Sequence, residues 1–525
     1  MKKITLSILG MMLAFAGFAK VVSVKEASDI ALLLMAEKGV NAQSVVSVSP
    51  VDYQGSTAFY GVSFAPEGWA LISADDVITP LVGYSDKGAF PAADMPSNMR
   101  GWLNLNAEQI LDYKKEVNTR STEWDKNKIS RSSAPSMALT DKISPLIKVQ
   151  WNQTNPYNKY CPSNSSAGRA VVGCVAVAMA QAMSVVKYPA RPQGMVSYDS
   201  GSPYGTINLN YDNEAPYNWA DIISGENNRD EAARLLWHCG PAVSMSYGPA
   251  GSGTYTNLVS AALKKHFGYP KSVTYIKRDN YNDKDWNALI LNELKEGRAV
   301  IYHGYPADGT AGHCFDLDGY DGVFYHVNWG WGGAGDGYFS LDKLAAQVVV
   351  GGAVMSFTQG HGMVIGVRAP STKPTNITLS NTSVVEKQPA GTVVGAITVE
   401  SDFDNVTYSY LVQGKQTFFG YAQAPFEVKD GNLVTTEPIS AADYADVVTG
   451  NSFCNITITA TNANGEAVSR QFNISIKASS AIDEVMNDEI APVEYYNMQG
   501  VKVENPTNGV YIKKQGNSVS KVILK

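Results

Sequence analysis

Residues 118 to 145, NTRSTEWDKNKISRSSAPSMALTDKISP, divide two stretches of different character. The stretch is polar, Ser-rich at its centre and carries two prolines, so it buries too little apolar surface to offset the entropy of ordering it. It reads as an exposed linker open to cleavage. A chain of 525 residues is also too long for one core, domains commonly holding about 100–200 residues.

The segments on either side differ in character. Residues 20 to about 120 alternate strand-like runs with turns, as in GWALISADDVITPLVGYS, and end in a helical pattern around NMRGWLNLNAEQILDYKKEV. From about 146 to 368 the chain is rich in aromatics and glycine and holds all six histidines: His238, His266, His303, His313, His326 and His361. Histidine-dependent chemistry must be done there. Residues 370 to 480 are runs of Val, Ile and Thr separated by turn residues, the spacing of an all-β sandwich. The tail, 481 to 525, contains two short strand-like runs around Asn-Pro-Thr-Asn-Gly, which predict a hairpin.

The chain opens with MKKITLSILGMMLAFAGFAK: two lysines, an apolar run, then the small residues Gly17 and Ala19. This is the pattern of a secretory signal peptide, residues 1–19, cleaved after Ala19. The run is shorter than the ~20 residues of a membrane span, and no later segment qualifies, so no transmembrane segment is expected. Lys and Arg number 42 against 49 Asp and Glu, a net charge of -7 without long runs of one sign. Neither a nucleic-acid footprint nor a basic membrane-binding face is present in that pattern. Five cysteines are too few and odd in number for a disulfide framework, and none stands in zinc-ligand spacing, so neither metal nor cofactor is expected.

Cys174 follows Gly173 and opens the run CVAVAMAQAM. The glycine permits a sharp turn, the alanines favour a closely packing helix, and a thiol in the first helical turn feels the positive end of the macrodipole. Alone, such a cysteine is more simply a packed core residue. His313, 139 residues on, supplies a base at about the thiol-to-imidazole spacing of papain-like chains. Asn328, 15 residues later, is suited to accept from the imidazole N–H and fix its tautomer. Gln153 offers an amide for an oxyanion hole with the nucleophile's own N–H, and Trp329 or Trp331 a cover against water. His326, two residues before Asn328 on a strand-like stretch, shares its face and reads as structural.

The segments NQTNPYN, GCVAVAMAQAM, SYGPAGSGTYTNLVSAALKKHFGY, DWNALILNEL, AGHCFDLDGYDG and FYHVNWGWGGAGDGYFSL occur in the order in which similar segments occur in the streptopain-like cysteine peptidases of the papain clan. The chain resembles that family over most of 145 to 368. The resemblance implies nucleophile Cys174, base His313, orienting Asn328, oxyanion Gln153 and shielding Trp329, with a hydrophobic substrate side chain accepted in the second pocket on the acyl side. It implies that SYGPAGSGTY is a flexible wall of that pocket. The papain signature around the nucleophile is absent, and Cys314 follows the histidine where the resemblance implies a side chain without a thiol. Cys161 and Cys314 read as small buried residues whose oxidation would inactivate or regulate the enzyme.

By the same resemblance, residues 20–142 are an inhibitory propeptide, and the mature enzyme begins near 143–149. The last 45 residues are similar to type IX secretion sorting domains of Gram-negative bacteria. The expected fold class is α+β: a papain-like two-subdomain catalytic domain (143–368) preceded by an α+β propeptide and followed by an immunoglobulin- or cadherin-like β-sandwich (369–480) and a small β C-terminal domain (481–525). The expected function is a secreted or surface cysteine endopeptidase made as a zymogen. Its partners are protein or peptide substrates, its own propeptide and, through the C-terminus, the secretion machinery. Other readings are an adhesin with an inactive peptidase-like passenger, a thiol acyltransferase or amidase, and a cell-wall hydrolase.

Overall fold

The structure, a computed structural model, describes residues 19–126, 142–304, 313–341, 349–350, 353–354, 360–414, 416–417, 420–446, 449–479, 492–516 and 518–524. The leader and the centre of the linker lie outside the described residues. The chain divides into two compact units, Met1–Pro370 and Ser371–Lys525. Among the described residues no helix is long and apolar enough to cross a membrane.

Helix α1 (Val24–Lys38) starts where the Ser23 hydroxyl accepts the Glu26 N–H and stops at Gly39, whose φ of 76° is the left-handed cap glycine adopts without strain. It packs on β1 (Ser44–Tyr53), β2 (Ser56–Ala65), β3 (Trp69–Ser73) and β4 (Leu81–Ser85). Helix α2 (Ser97–Glu116) follows. Beyond the linker come α3 (Cys174–Val186), α4 (Glu226–Ala242), α5 (Val259–Phe267), β5 (Thr274–Lys277) and α6 (Asp283–Lys295). The strands β6 (Val300–Gly304), β7 (His313–Tyr320), β8 (Tyr325–Asn328), β9 (Gly337–Phe339) and β10 (Gly362–Ile365) complete the unit.

These strands form one antiparallel sheet of ten, in the order β1-β2-β3-β4-β9-β8-β7-β6-β10-β5. The seam is β4 on β9, with Tyr84 opposite Tyr338 and Gly83 opposite Phe339. A Cβ at Gly83 would come within 2.5 Å of the Phe339 ring, so glycine is what lets the strands meet. The segments before and after the linker are therefore one sheet, not two free-standing domains. The linker's first part is also more ordered than its composition predicts. Trp124 is buried, its indole N–H donating to the Ile78 carbonyl at 2.7 Å, and Arg120 lies between Glu26 and Asp76. One buried aromatic and one paired cation outweigh the polar composition around them.

Helix α3 is buried from Val175 to Ser184 and forms the centre of one core, as befits a helix apolar on all sides. A second core lies beneath α2, where Trp102, Leu103 and Ile110 meet Phe315, Leu317 and Trp329.

The second unit contains the expected sandwich. One sheet, in the order β11-β13-β16-β15, comprises β11 (Asn376–Leu379), β13 (Val393–Glu400), β15 (Phe426–Lys429) and β16 (Asn432–Thr435). The other, β12-β18-β17-β14, comprises β12 (Ser383–Val385), β14 (Tyr408–Gln413), β17 (Phe453–Asn462) and β18 (Ala467–Lys477). They enclose Ile377, Leu433, Ile458 and Ile474. The tail departs from the predicted hairpin. It is a four-stranded sheet, β20-β19-β21-β22, of β19 (Val493–Tyr496), β20 (Lys502–Val503), β21 (Gly509–Gln515) and β22 (Ser518–Leu524). The strands flanking Asn-Pro-Thr-Asn-Gly are β20 and β21, and β19 lies between them. Their turn-like sequence is thus a crossover, carrying the chain from one side of β19 to the other.

Candidate active site

Cys174 is the first residue of α3. Gly173, which precedes it, has φ 92°, and a Cβ there would lie 2.7 Å from Met245 Cε and 3.1 Å from the Ser252 carbonyl. The helix start is thereby fixed by a residue without a side chain. The half-buried thiol receives backbone N–H groups of Cys314, Val175 and Cys174, but burial outweighs them and pushes the thiol up. The helix-start effect expected to favour thiolate does not prevail in this state.

Gln153 is buried beside that turn: its carbonyl accepts the Val172 N–H at 2.9 Å. The segment 246–255, expected to be a flexible wall, is pinned. Ser246 and Gly253 exchange backbone hydrogen bonds at 2.9 and 3.0 Å, and the Ser252 hydroxyl donates to the Val171 carbonyl at 2.7 Å. Short-range pairing within the turn defeats the flexibility its glycines suggest.

His313 opens β7, opposite Gly304 of β6. Its ring lies on α2: a Cβ at Gly101 would fall 1.9 Å from His313 Cδ2 and 2.1 Å from Nε2. Phe315, two residues on, belongs with the core under α2, whereas Cys314 belongs with the core around α3. Among the described residues Cys174 and His313 form no hydrogen bond, and burial alone lowers the His313 imidazole below its ordinary value.

Asn328 is also engaged elsewhere. Its Oδ1 accepts from Gln181 Nε2 at 2.9 Å and from the Gly330 N–H at 3.0 Å, and its Nδ2 donates to the Val149 carbonyl at 3.3 Å. Trp329 is buried, its ring centroid 4.7 Å from Phe315 and 6.1 Å from Trp102 of α2, with its indole N–H on the Gly335 carbonyl. His326 pairs through Nδ1 with Asp318 at 2.6 Å. Burial opposes its charge, but Asp318 outweighs burial and raises it.

Structure thus brings Cys174, Gln153 and the backbone of β7 together, and leaves the His313 ring and the Asn328 amide apart. Sequence reasoning missed the α2 seat, which only a long-range contact reveals. It also missed the acids behind the site. Asp336, whose Oδ1 accepts the Trp329 N–H at 2.9 Å, is pushed up to about 7 by burial. Asp316 is wholly buried, neither of its oxygens is hydrogen-bonded among the described residues, and burial raises it far above the carboxylate range. Beyond Cys314, whose thiol bonds Thr256, a cavity of about 380 Å³ opens between Tyr255, Tyr275, His303 and His361. Burial holds both histidines neutral at pH 7, at about 4 and about 3.

Comparison with known proteins gives residues 151–339 as a match to the Peptidase C10 family and residues 19–110 as a match to the Spi protease inhibitor family. Streptopain of Streptococcus pyogenes is 30% identical over 375 residues, covering 66% of this chain and 91% of its own. The thiol protease/hemagglutinin PrtT of Porphyromonas gingivalis is 30% identical over 413 residues, covering 75% of this chain, and this chain spans only 45% of that protein's length. A solved fragment of Prevotella intermedia prointerpain A is 31% identical with a TM-score of 0.50, covering 62% of this chain and 99% of the fragment.

Proposed function

Because the chain belongs to the streptopain family of cysteine peptidases and carries an inhibitor-type propeptide domain, we propose that it is an exported zymogen whose latency resides in the position of His313. The observation that carries this reading is the His313 ring seated on Gly101 of α2, away from a thiol that burial keeps protonated. Loss of residues 20–142 removes that seat. The imidazole then swings to the Cys174 side of β7, where the Asn328 amide can orient it.

In the released enzyme His313 takes the Cys174 proton, and the thiolate adds to the peptide carbonyl. The oxyanion is held by the Gln153 amide and the Cys174 N–H. As the C–N bond breaks, His313 gives its proton to the leaving amine. It then takes a proton from water, whose hydroxide releases the acyl group and restores the thiol. The indole of Trp329 keeps the Cys–His contact dry. The cavity beyond Cys314 takes a substrate side chain, and with two neutral imidazoles and two tyrosine rings it suits a hydrophobic one. Export through the 1–19 leader and sorting through residues 481–525 to the surface of a Gram-negative cell complete the proposal.

The test uses residues 20–525 as wild type and as Cys174→Ala, incubated under reducing conditions. Shortening near 120–148 followed by casein cleavage, in the wild type alone, is the expected result. Equal shortening of both with no casein cleavage, even after the front segment is removed, would sink the peptidase reading.

A further inference from the structure

The first residues after the leader run beside a buried carboxylate. Val22 N–H donates to the Ala74 carbonyl at 2.9 Å, Val21 bridges Asp75, and the Asp76 N–H donates to the Lys20 carbonyl at 3.2 Å. This zipper carries the main-chain nitrogen of Lys20 to within 2.6 Å of Asp76 Oδ1. Asp76 is wholly buried. Its Oδ2 makes no hydrogen bond among the described residues, the Arg120 guanidinium standing off at 3.4 Å. A buried carboxylate normally has several donors, and here one neutral amide N–H and one distant cation serve it.

We infer that Asp76 is a binding site for the α-ammonium group created when the leader is cut between Ala19 and Lys20. Hydrolysis of that peptide bond leaves a carboxylate on Ala19 and turns the Lys20 amide into a primary amine, protonated at neutral pH. One N–H becomes three, and a positive charge arrives at hydrogen-bond distance from Oδ1 without any movement of the zipper. The surrounding charges do not duplicate it. Lys114 pairs with Asp75, the Lys20 ammonium with Glu26, and Arg120 is shared with Glu26. Burial raises the Asp76 carboxyl at present, the state expected of a group still short of its counter-charge. The cut does forfeit the 2.6 Å bond from the Ala19 N–H to the Asn118 carbonyl, but the Ser121 N–H still ties that segment to the Asp76 carbonyl at 2.8 Å. Removal of the leader is thus the event that completes the fold of the inhibitory front segment, which couples latency to export. The inference rests on the leader reading, and it stands whether or not the catalytic proposal does.

The experiment uses residues 20–525 carrying Cys174→Ala, so that the precursor stays whole. One version is freed from a fusion so that Lys20 is the first residue, and another keeps Gly-Ser before it. The Lys20 terminus is expected to raise the thermal midpoint of the first unit by on the order of 5 °C at pH 7. The advantage should fade as pH rises past the α-amine range, and it should vanish in Asp76→Asn. An extension that costs nothing at pH 7, or an advantage that persists at pH 10, overturns the proposal. Should Asp76→Asn fail to fold, acetylation of the Lys20 terminus replaces it: a loss equal to that of the extension supports the inference, and no loss overturns it. Mass spectrometry of the exported chain must also find Lys20 first, and a terminus elsewhere overturns it too.

Discussion

The His313 imidazole rests on Gly101, at a point where a single methyl group would lie 1.9 Å from its Cδ2. The seat exists only because α2 lacks a side chain there. Gly101→Val therefore expels the ring. Overpacking of this kind costs about 1–3 kcal/mol, and here the strain falls on the contact that holds the base away from the thiol. The variant precursor is expected to react with a thiol-directed active-site probe at least tenfold faster than wild type before any chain shortening. Equal probe rates with a native-like unfolding transition would remove Gly101 from the latency device.

A second anchor holds the front segment to the catalytic one. Asp321 accepts the Lys38 ammonium at 2.8 Å and the Tyr84 hydroxyl at 2.6 Å, and both donors come from before the linker. Burial opposes ionisation of Asp321, but Lys38 and the Phe324 N–H outweigh it and hold the carboxyl below 3.8. A lowered value means the anchor contributes above about pH 4 and is lost as pH falls through the folded value. Asp321→Asn should weaken it by about 1–3 kcal/mol at pH 7. On the Cys174→Ala background, trimming of the linker by added mature enzyme should speed up at pH 7 and lose its acceleration as pH falls through the folded Asp321 value, below 3.8. A wild-type profile in the variant would rule the anchor out.

Much of this site is legible in sequence, because its parts are local. Gly173 before Cys174 announces a tight turn into a helix, and an alanine-rich run announces a helix buried on every side. The β-sandwich is legible for the same reason, since alternation within each strand carries it. What sequence does not disclose is which face of β7 the His313 ring takes, because that depends on Gly101, which is 212 residues earlier. Trp124 likewise makes an ordered strap of a stretch whose composition predicts none. In the tail, β19 intervenes between strands that a local turn signal would pair.

His326 and His313 should separate cleanly by mutation. His326 lies 2.6 Å from Asp318, which is wholly buried and also accepts the Ile147 N–H at 2.9 Å. Removing the imidazole leaves a buried charge without its cation, at a cost of about 3–5 kcal/mol. Because His326 is raised, its contribution is present below the unfolded value near 6.5 and is lost as pH rises through the folded one. His326→Ala should thus unfold earlier, most markedly near pH 6, yet retain kcat within about tenfold at low temperature. His313→Ala should keep its stability and lose at least 10³-fold in kcat. Matched losses of kcat would give His326 a catalytic role.

Asp336 makes the opposite pH statement. Its carboxyl is pushed up from 3.8 to about 7 by burial, against the pull of the Trp329 N–H. A raised carboxyl contributes no penalty below pH 4. Between about 4 and 7 the unfolded chain releases a proton that the folded one keeps, so stability falls by up to about 1.4 kcal/mol per pH unit. Asparagine preserves the acceptor for the Trp329 N–H and cannot ionise. Asp336→Asn should therefore match wild type near pH 4.5 in urea unfolding and exceed it at pH 7.5, with the slope between them flattened. A parallel loss at both pH values would mean that the carboxylate itself, and not its hydrogen bond, holds the loop of Trp329 in place. An unchanged slope would mean that Asp336 is already ionised when folded.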